Sequence, residues 1–229
     1  MKTLKEYINE SLLDDFDEIE KTVDPREQVI QFLKDNYKRA SIFKISRKPN
    51  NDGYYEVDCS KHSVVEVCNK DITSLTNNIF IFVNVKGSFY CYSCYNLTSL
   101  EGAPNEVGGH FSCSSCINLT TLKGAPKEVG GNFNCSDCNN LTTLKDSPEK
   151  VGENFDCSNC EKLTSLEGAP KEVRDFNCYF CANLTTLKGA PQKVGGDFNC
   201  YSCANLTSLE GAPKKVGYFD HSNCPKLKL

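Results

Sequence analysis

The 229-residue chain is long enough for one large domain or two small ones, and at 39% hydrophobic with no Trp it is lean for an ordinary globular core. Its net charge is −4, with ten acids against five bases in residues 1–37 and near balance beyond, which leaves no basic surface for nucleic acid. The most apolar run, Ile79–Val85, is too short to span a membrane and contains Asn84. Because the N-terminus lacks the apolar core of a secretory signal, the fifteen cysteines are read as free thiols in a reducing cytoplasm.

In chain order, residues 1–20 read as a first helix, with Leu4, Tyr7, Ile8, Leu12 and Leu13 on one face. Its acidic stretch Asp14–Glu18 is a solvated face or a docking segment. A second helix is expected from Pro25 to about Tyr37. Asp24 stands at the N-cap, Pro25 at the first helical position and Glu27 two residues on, a variant capping box. Val29, Ile30, Leu33 and Tyr37 form the apolar stripe that would seal a hydrophobic end. Residues 1–40 thus form a helical cap. Residues 41–88 follow as a transition, with strands at Ile42–Ile45 and Tyr54–Val57 around a turn at Pro49–Gly53. Val65–Val67 and Ile72–Leu75 read as a degenerate first coil without paired cysteines.

From residue 89 to 229 a 21- or 22-residue period governs the chain. A Phe row runs Phe89, Phe111, Phe133, Phe155, Phe176, Phe198 and Phe219. Two residues later a Cys row runs from Cys91 to Cys200 and ends at His221, and three further on a second runs from Cys94 to Cys224. Two Leu rows follow, beginning at Leu97 and Leu100, then Gly-Ala-Pro (Asp146-Ser-Pro148 in one copy) and a Val row from Val107 to Val216. Phe and the first Cys are expected to point inward from a short parallel strand. The second Cys, at the turn leaving the strand, is expected to donate its S–H to a neighbouring carbonyl. No helical periodicity lies between Leu100 and Phe111, so the opposite side is expected to be extended. Seven coils at about 4.8 Å each make an array about 35 Å long.

Val173-x-x-Phe176-x-Cys178-x-x-Cys181-x-x-Leu184-x-x-Leu187 resembles the leucine-rich repeat family, whose consensus is L-x-x-L-x-L-x-x-(N or C)-x-x-L-x-x-L. Most other coils carry one residue more before the Phe, as in Val129-Gly-Gly-Asn-Phe133, which implies a bulge or looser turn there. The Leu-Thr-Ser-Leu and Leu-Thr-Thr-Leu runs look like those of short bacterial and bacteriophage members. The resemblance covers about residues 64–229. It implies an α+β chain: a leucine-rich-repeat solenoid of short parallel strands with an extended convex side, capped by two N-terminal helices.

The repeated Cys-x-x-Cys pairs, 17 or 18 residues apart, match zinc-ribbon spacing, so zinc binding stands as an alternative to stacked structural thiols, with disulfides a third reading. Asn-Leu-Thr at Asn96, Asn118, Asn140, Asn183 and Asn205 matches a glycosylation sequon, although its Thr belongs to the Leu-Thr-x-Leu run. Only His62, His110 and His221 are present, none with a repeated acid or nucleophile partner. Gly108-Gly109 and Gly130-Gly131 precede strands, not helices. The reading is therefore a non-enzymatic chain with no cofactor and no metal. It binds another protein, not nucleic acid or membrane, on the concave strand face. The candidate contacts are Tyr90, Tyr92, Asn134, Asp156, Asn177, Tyr179, Phe180, Asn199 and Tyr201. Tyrosine is at home on any strand, but it also suits an interface anchor. A structural role, with chain ends mediating assembly, is a further alternative.

Overall fold

The computed structural model describes residues 23–228, so the helix expected over residues 1–20 lies outside the described residues. The single α-helix within them, α1, spans Pro25–Asn36. Its start is set by Asp24, whose side chain accepts from Arg26 N at 2.9 Å, and by Pro25, whose fixed φ suits the first turn. Of the expected stripe, Val29, Leu33 and Tyr37 are buried and Ile30 is half-buried. Phe32 also packs edge-on against Phe80, at 5.7 Å between ring centroids.

The transition zone forms a small sheet of its own. The strands β1 (Lys44–Ile45) and β2 (Tyr55–Asp58) are antiparallel, and β2 pairs in parallel with β4 (Phe80–Val83). The strand expected to begin at Ile42 is shorter, because Arg39 takes φ 54° and Ala40–Ile42 close a 3₁₀ turn with Ile42 N bonded to Arg39 O. The expected turn forms around Asn50, whose side chain accepts from Asp52 N and Tyr54 N.

The rest is a β-solenoid. One eight-stranded parallel sheet contains β3 (Val64–Glu66), β5 (Ser88–Tyr90), β7 (Phe111–Ser112), β9 (Phe133–Asn134), β11 (Phe155–Asp156), β13 (Phe176–Asn177), β15 (Asp197–Asn199) and β16 (Tyr218–Asp220). Pairing of β3 with β5 brings the degenerate first coil into the array, making about eight turns. Identical register stacks each Phe on the next. The rings from Phe89 to Phe198 lie 5.2–5.7 Å apart and within 20° of parallel, and only Phe219 turns edge-on. Both cysteines and both leucines of each central coil are fully buried behind them.

The described coils contain no helix after Ile42, and the side away from the large sheet is built from turns and two-residue strands. These strands are β6 (Glu106–Val107), β8 (Glu128–Val129) and β10 (Lys150–Val151) in one ladder, and β12 (Glu172–Val173) and β14 (Lys193–Val194) in another. The break between β10 and β12 falls where one residue is missing before Phe176. Gly130 N and Gly152 N bond to Val107 O and Val129 O, whereas Arg174 N reaches Glu153 O. The slip also leaves the buried Asn154 Oδ1 without a partner, although its counterparts in Ser88, His110 and Asn132 each accept a backbone N–H from the next coil. The Gly-Ala-Pro turn depends on its glycine. Gly124, at φ 87°, occupies the positive-φ turn position, and a Cβ there would lie 2.6 Å from the Glu101 backbone. Asp146, which replaces glycine in one copy, keeps a positive φ of 67°.

Candidate functional site

The cysteine pairs form a hydrogen-bonded ladder. From Cys116 onward, the second cysteine of each coil donates to the carbonyl of the first cysteine one coil back: Cys116 to Cys91 at 3.1 Å, Cys138 to Cys113 at 3.3 Å, Cys181 to Cys157 at 3.2 Å, and so on to Cys224. A thiol thereby satisfies a buried carbonyl at the turn where the chain leaves the sheet. All fifteen cysteines are free, and among the described residues no three His, Cys, Asp or Glu side chains converge as a metal site. Burial pushes the thiols of Cys91, Cys157 and Cys178 well up, and that of Cys59 up to about 12. Only Cys68 is exposed and Cys224 partly so. A thiolate-selective reagent is therefore expected to modify Cys68 quickly and Cys224 slowly, with the other thirteen reacting only after denaturation. Peptide mapping after timed alkylation reads this out, and rapid labelling of Cys138 would contradict it.

The Asn-Leu-Thr triplets also serve the fold. Asn118 and Asn140 amides donate to Tyr95 O and Ile117 O, each at 2.8 Å, and the Thr120 and Thr142 hydroxyls reach Thr98 O and Thr120 O.

The candidate residues of the large sheet fall into three columns. The first holds Tyr90, Asn134, Asp156, Asn177 and Asn199, in register on neighbouring strands. Three of these side chains fold back on their own turns. Asn134 Oδ1 accepts from Ser136 N, Asp156 Oδ1 from Ser158 N, and Asn199 Oδ1 from Tyr201 N, at 2.8–2.9 Å. These Asx turns end the strands, so the residues are structural whatever else they touch. Ser136 and Ser158, two residues after Asn134 and Asp156, are buried.

Burial raises the Asp156 carboxyl above the usual range, against two bonds from Ser158 that pull it down. The charged native form is thus disfavoured above the ordinary carboxylate pKa of about 3.9, and the penalty vanishes below it, where the unfolded chain also holds the proton. Asp156→Asn is expected to raise the urea midpoint at pH 7, with the gain disappearing as pH falls below about 4. A pH-independent gain would rule out the ionisation account.

The second column holds Tyr92, Tyr179 and Tyr201. The Tyr92 hydroxyl donates to Glu66 Oε1 at 2.6 Å, and Glu66 is paired with Lys38. Lys70 Nζ lies 4.0 Å from the Tyr92 ring centroid and donates to Val67 O and Tyr92 O. Tyr90 and Tyr92 are 6.2 Å apart, so the first tyrosine pair is half-buried in the junction between cap and array. Lys70 was not among the expected functional residues. The available signal was its place three residues after Val67, where other coils have the second cysteine.

The third column is the left-handed residue between the paired cysteines, with φ 55–58° throughout: Ser93, Ser115, Asp137, Asn159, Phe180, Ser202 and Asn223. Small polar residues tolerate this region, whereas a phenylalanine there is an outlier. Phe180 is also 47% exposed and lies edge-on to Tyr179 at 5.7 Å and to Tyr201 at 5.6 Å. The expected order of stability is therefore inverted: Phe180→Gly is predicted to be about 1 kcal/mol more stable than Phe180→Ala. Both remove the ring, so chemical denaturation of the pair isolates the backbone strain. Equal midpoints would show that none is stored there.

No helix among the described residues is long and apolar enough to cross a membrane. No protein-family model, curated protein or solved structure matches the chain.

Proposed function

We propose that the chain is a leucine-rich-repeat-type, non-enzymatic scaffold that binds a partner protein on its eight-stranded face, centred on Tyr179, Phe180 and Tyr201. The family reading is supported by the in-register Phe, Leu and Val rows and by a thiol ladder at the position where the family consensus has Asn or Cys. Phe180 carries the functional reading. An exposed aromatic ring is held in a backbone conformation that suits it poorly, in a column otherwise filled by Ser, Asp and Asn. Strain of this kind collects at binding sites, where the surrounding fold over-determines it. Tyrosine and phenylalanine in contact supply a large, stiff area at low entropic cost.

The non-enzymatic part of the reading is supported by the histidines. His62 is buried and stacked on Phe43 at 4.2 Å, His110 Nδ1 accepts from Asn132 N, and His221 packs on Phe219. Capture from the native source with the wild-type chain and with Tyr179→Ser/Phe180→Ser/Tyr201→Ser tests the proposal. Loss of the wild-type partner in the triple variant supports the site, and undiminished capture overturns it.

A further inference from the structure

Charge on the array is segregated. In every coil from Phe89 onward, the five residues from Phe to the left-handed position contain no Lys or Arg, yet they include Asp137, Asp156 and Asp220. His221 is the only other titratable cationic group in those segments. The lysines lie elsewhere in each coil, and several are paired across coils with glutamate: Lys123 with Glu101, Lys150 with Glu128, Lys188 with Glu167 and Lys193 with Glu172. The strand face from Ser88 to Asn223 thus carries three carboxylates and, apart from His221 at one end, no cationic side chain of its own; Lys70 lies over Tyr92 at the other end.

Two of the carboxylates bracket the aromatic trio. Asp156 is on β11, next to Asn177 on β13; Asp220 is on β16, next to Asn199 on β15. The coils of β13 and β15 between them carry Tyr179, Phe180 and Tyr201. Asp156 and Asp220 each direct Oδ1 to the following serine, at 2.9 Å to its N and 2.6 Å to its Oγ. Among the described residues Oδ2 of each is left without a hydrogen-bond partner. Three strand spacings put the carboxylates about 14 Å apart, and residues four apart on an extended peptide are about 13 Å apart.

We infer that this face binds a basic, extended segment of a partner protein, with arginine guanidinium groups stacked on the Tyr179–Phe180–Tyr201 rings and paired with Asp156 and Asp220. The inference rests on the protein-interaction reading above and names the partner's chemistry. Arginine fits better than lysine, because its planar group both stacks on a ring and bridges a carboxylate through two N–H donors. Burial that disfavours the charged Asp156 in the free chain is offset when a guanidinium takes its open oxygen.

The test is fluorescence anisotropy with a labelled peptide carrying two arginines four residues apart in a glycine background, titrated with the full chain at low ionic strength. Peptides with lysine or glutamate in the same places serve as comparisons. The arginine peptide is expected to bind tightest, the glutamate peptide not at all. Affinity is expected to fall about five-fold in Phe180→Asn and at least as much in Asp156→Asn/Asp220→Asn. Glu128→Gln/Glu172→Gln removes the same two charges from the other side and is expected to change nothing. Phe180→Asn and Asp156→Asn relieve strain and buried charge, so their folded state, checked by circular dichroism, is expected to persist. No arginine binding, or binding unchanged by both sheet-face variants, overturns the inference. If the natural partner is nevertheless lost by the triple serine variant, the protein interface stands and only its basic chemistry falls. If the partner is retained as well, both fall.

Discussion

Phe155→Ala is expected to destabilise the chain by about 3–5 kcal/mol, among the largest losses available from one substitution. The ring is fully buried and sandwiched between Phe133 at 5.2 Å and Phe176 at 5.3 Å. Neither neighbour can slide into the vacated space. Phe155 is paired in register with Phe133 on one side and Phe176 on the other, and the ladder bonds Phe133 N to Asn154 O and Phe155 N to Asp175 O fix the strands. The cavity therefore stays open, adding its cost to the lost transfer energy. Because each coil touches only its neighbours, the damage is expected to divide the array into two cooperative blocks. Hydrogen exchange is expected to show protection lost first around Phe133–Phe176, and urea unfolding to broaden. Phe219→Ala removes a ring that is only partly buried and edge-on, so about 1–2 kcal/mol is expected. Equal effects at Phe155 and Phe219 would refute the stacked-ladder account.

The rows that build this ladder were legible because a period repeats the same physical demand in every coil. Between Phe89 and Leu206 the Phe, Cys and Leu columns carry no charge, which marks them as facing inward, and the structure buries them. Even the missing residue before Phe176 was readable, although not the break it makes between β10 and β12. The strand face was less transparent. Asn134, Asp156 and Asn199 have the composition of a contact surface, but the same residue types make Asx turns, and sequence alone does not separate the two uses. Phe180 was visible as an odd residue in a polar column. That the column is left-handed, so that the oddity carries strain, required the backbone. Lys70 was hidden because the first coil is one residue shorter between Lys70 and Ile72 than later coils are between Cys94 and Leu97.

Tyr37 joins the helical cap to the array, and its replacement carries the second large effect. The ring is buried against Phe43, Phe82 and Phe89, and its hydroxyl donates to Leu75 O at 2.6 Å. Its backbone forms an antiparallel bridge with Val67, and Lys38 N bonds to Glu66 O, so this turn also covers the open edge of β3. Tyr37→Ala is expected to cost about 3–5 kcal/mol. Exchange protection should disappear from α1 and β3 while persisting at β13 and β15. Tyr37→Phe keeps the packing but leaves the Leu75 carbonyl without its donor, for about 1–3 kcal/mol. The two chains are also expected to diverge in alkali. Burial raises the Tyr37 phenol well above its ordinary value, so the folded chain retains a proton that the unfolded chain releases above about pH 10. Wild-type stability therefore falls with rising pH through this group, whereas Tyr37→Phe has no such loss. The gap between them, measured by urea unfolding from pH 8 to 11, is expected to be widest near pH 8 and to close above about pH 10. A gap that stays constant across that range would mean that the Tyr37 hydroxyl is not held in a dry site.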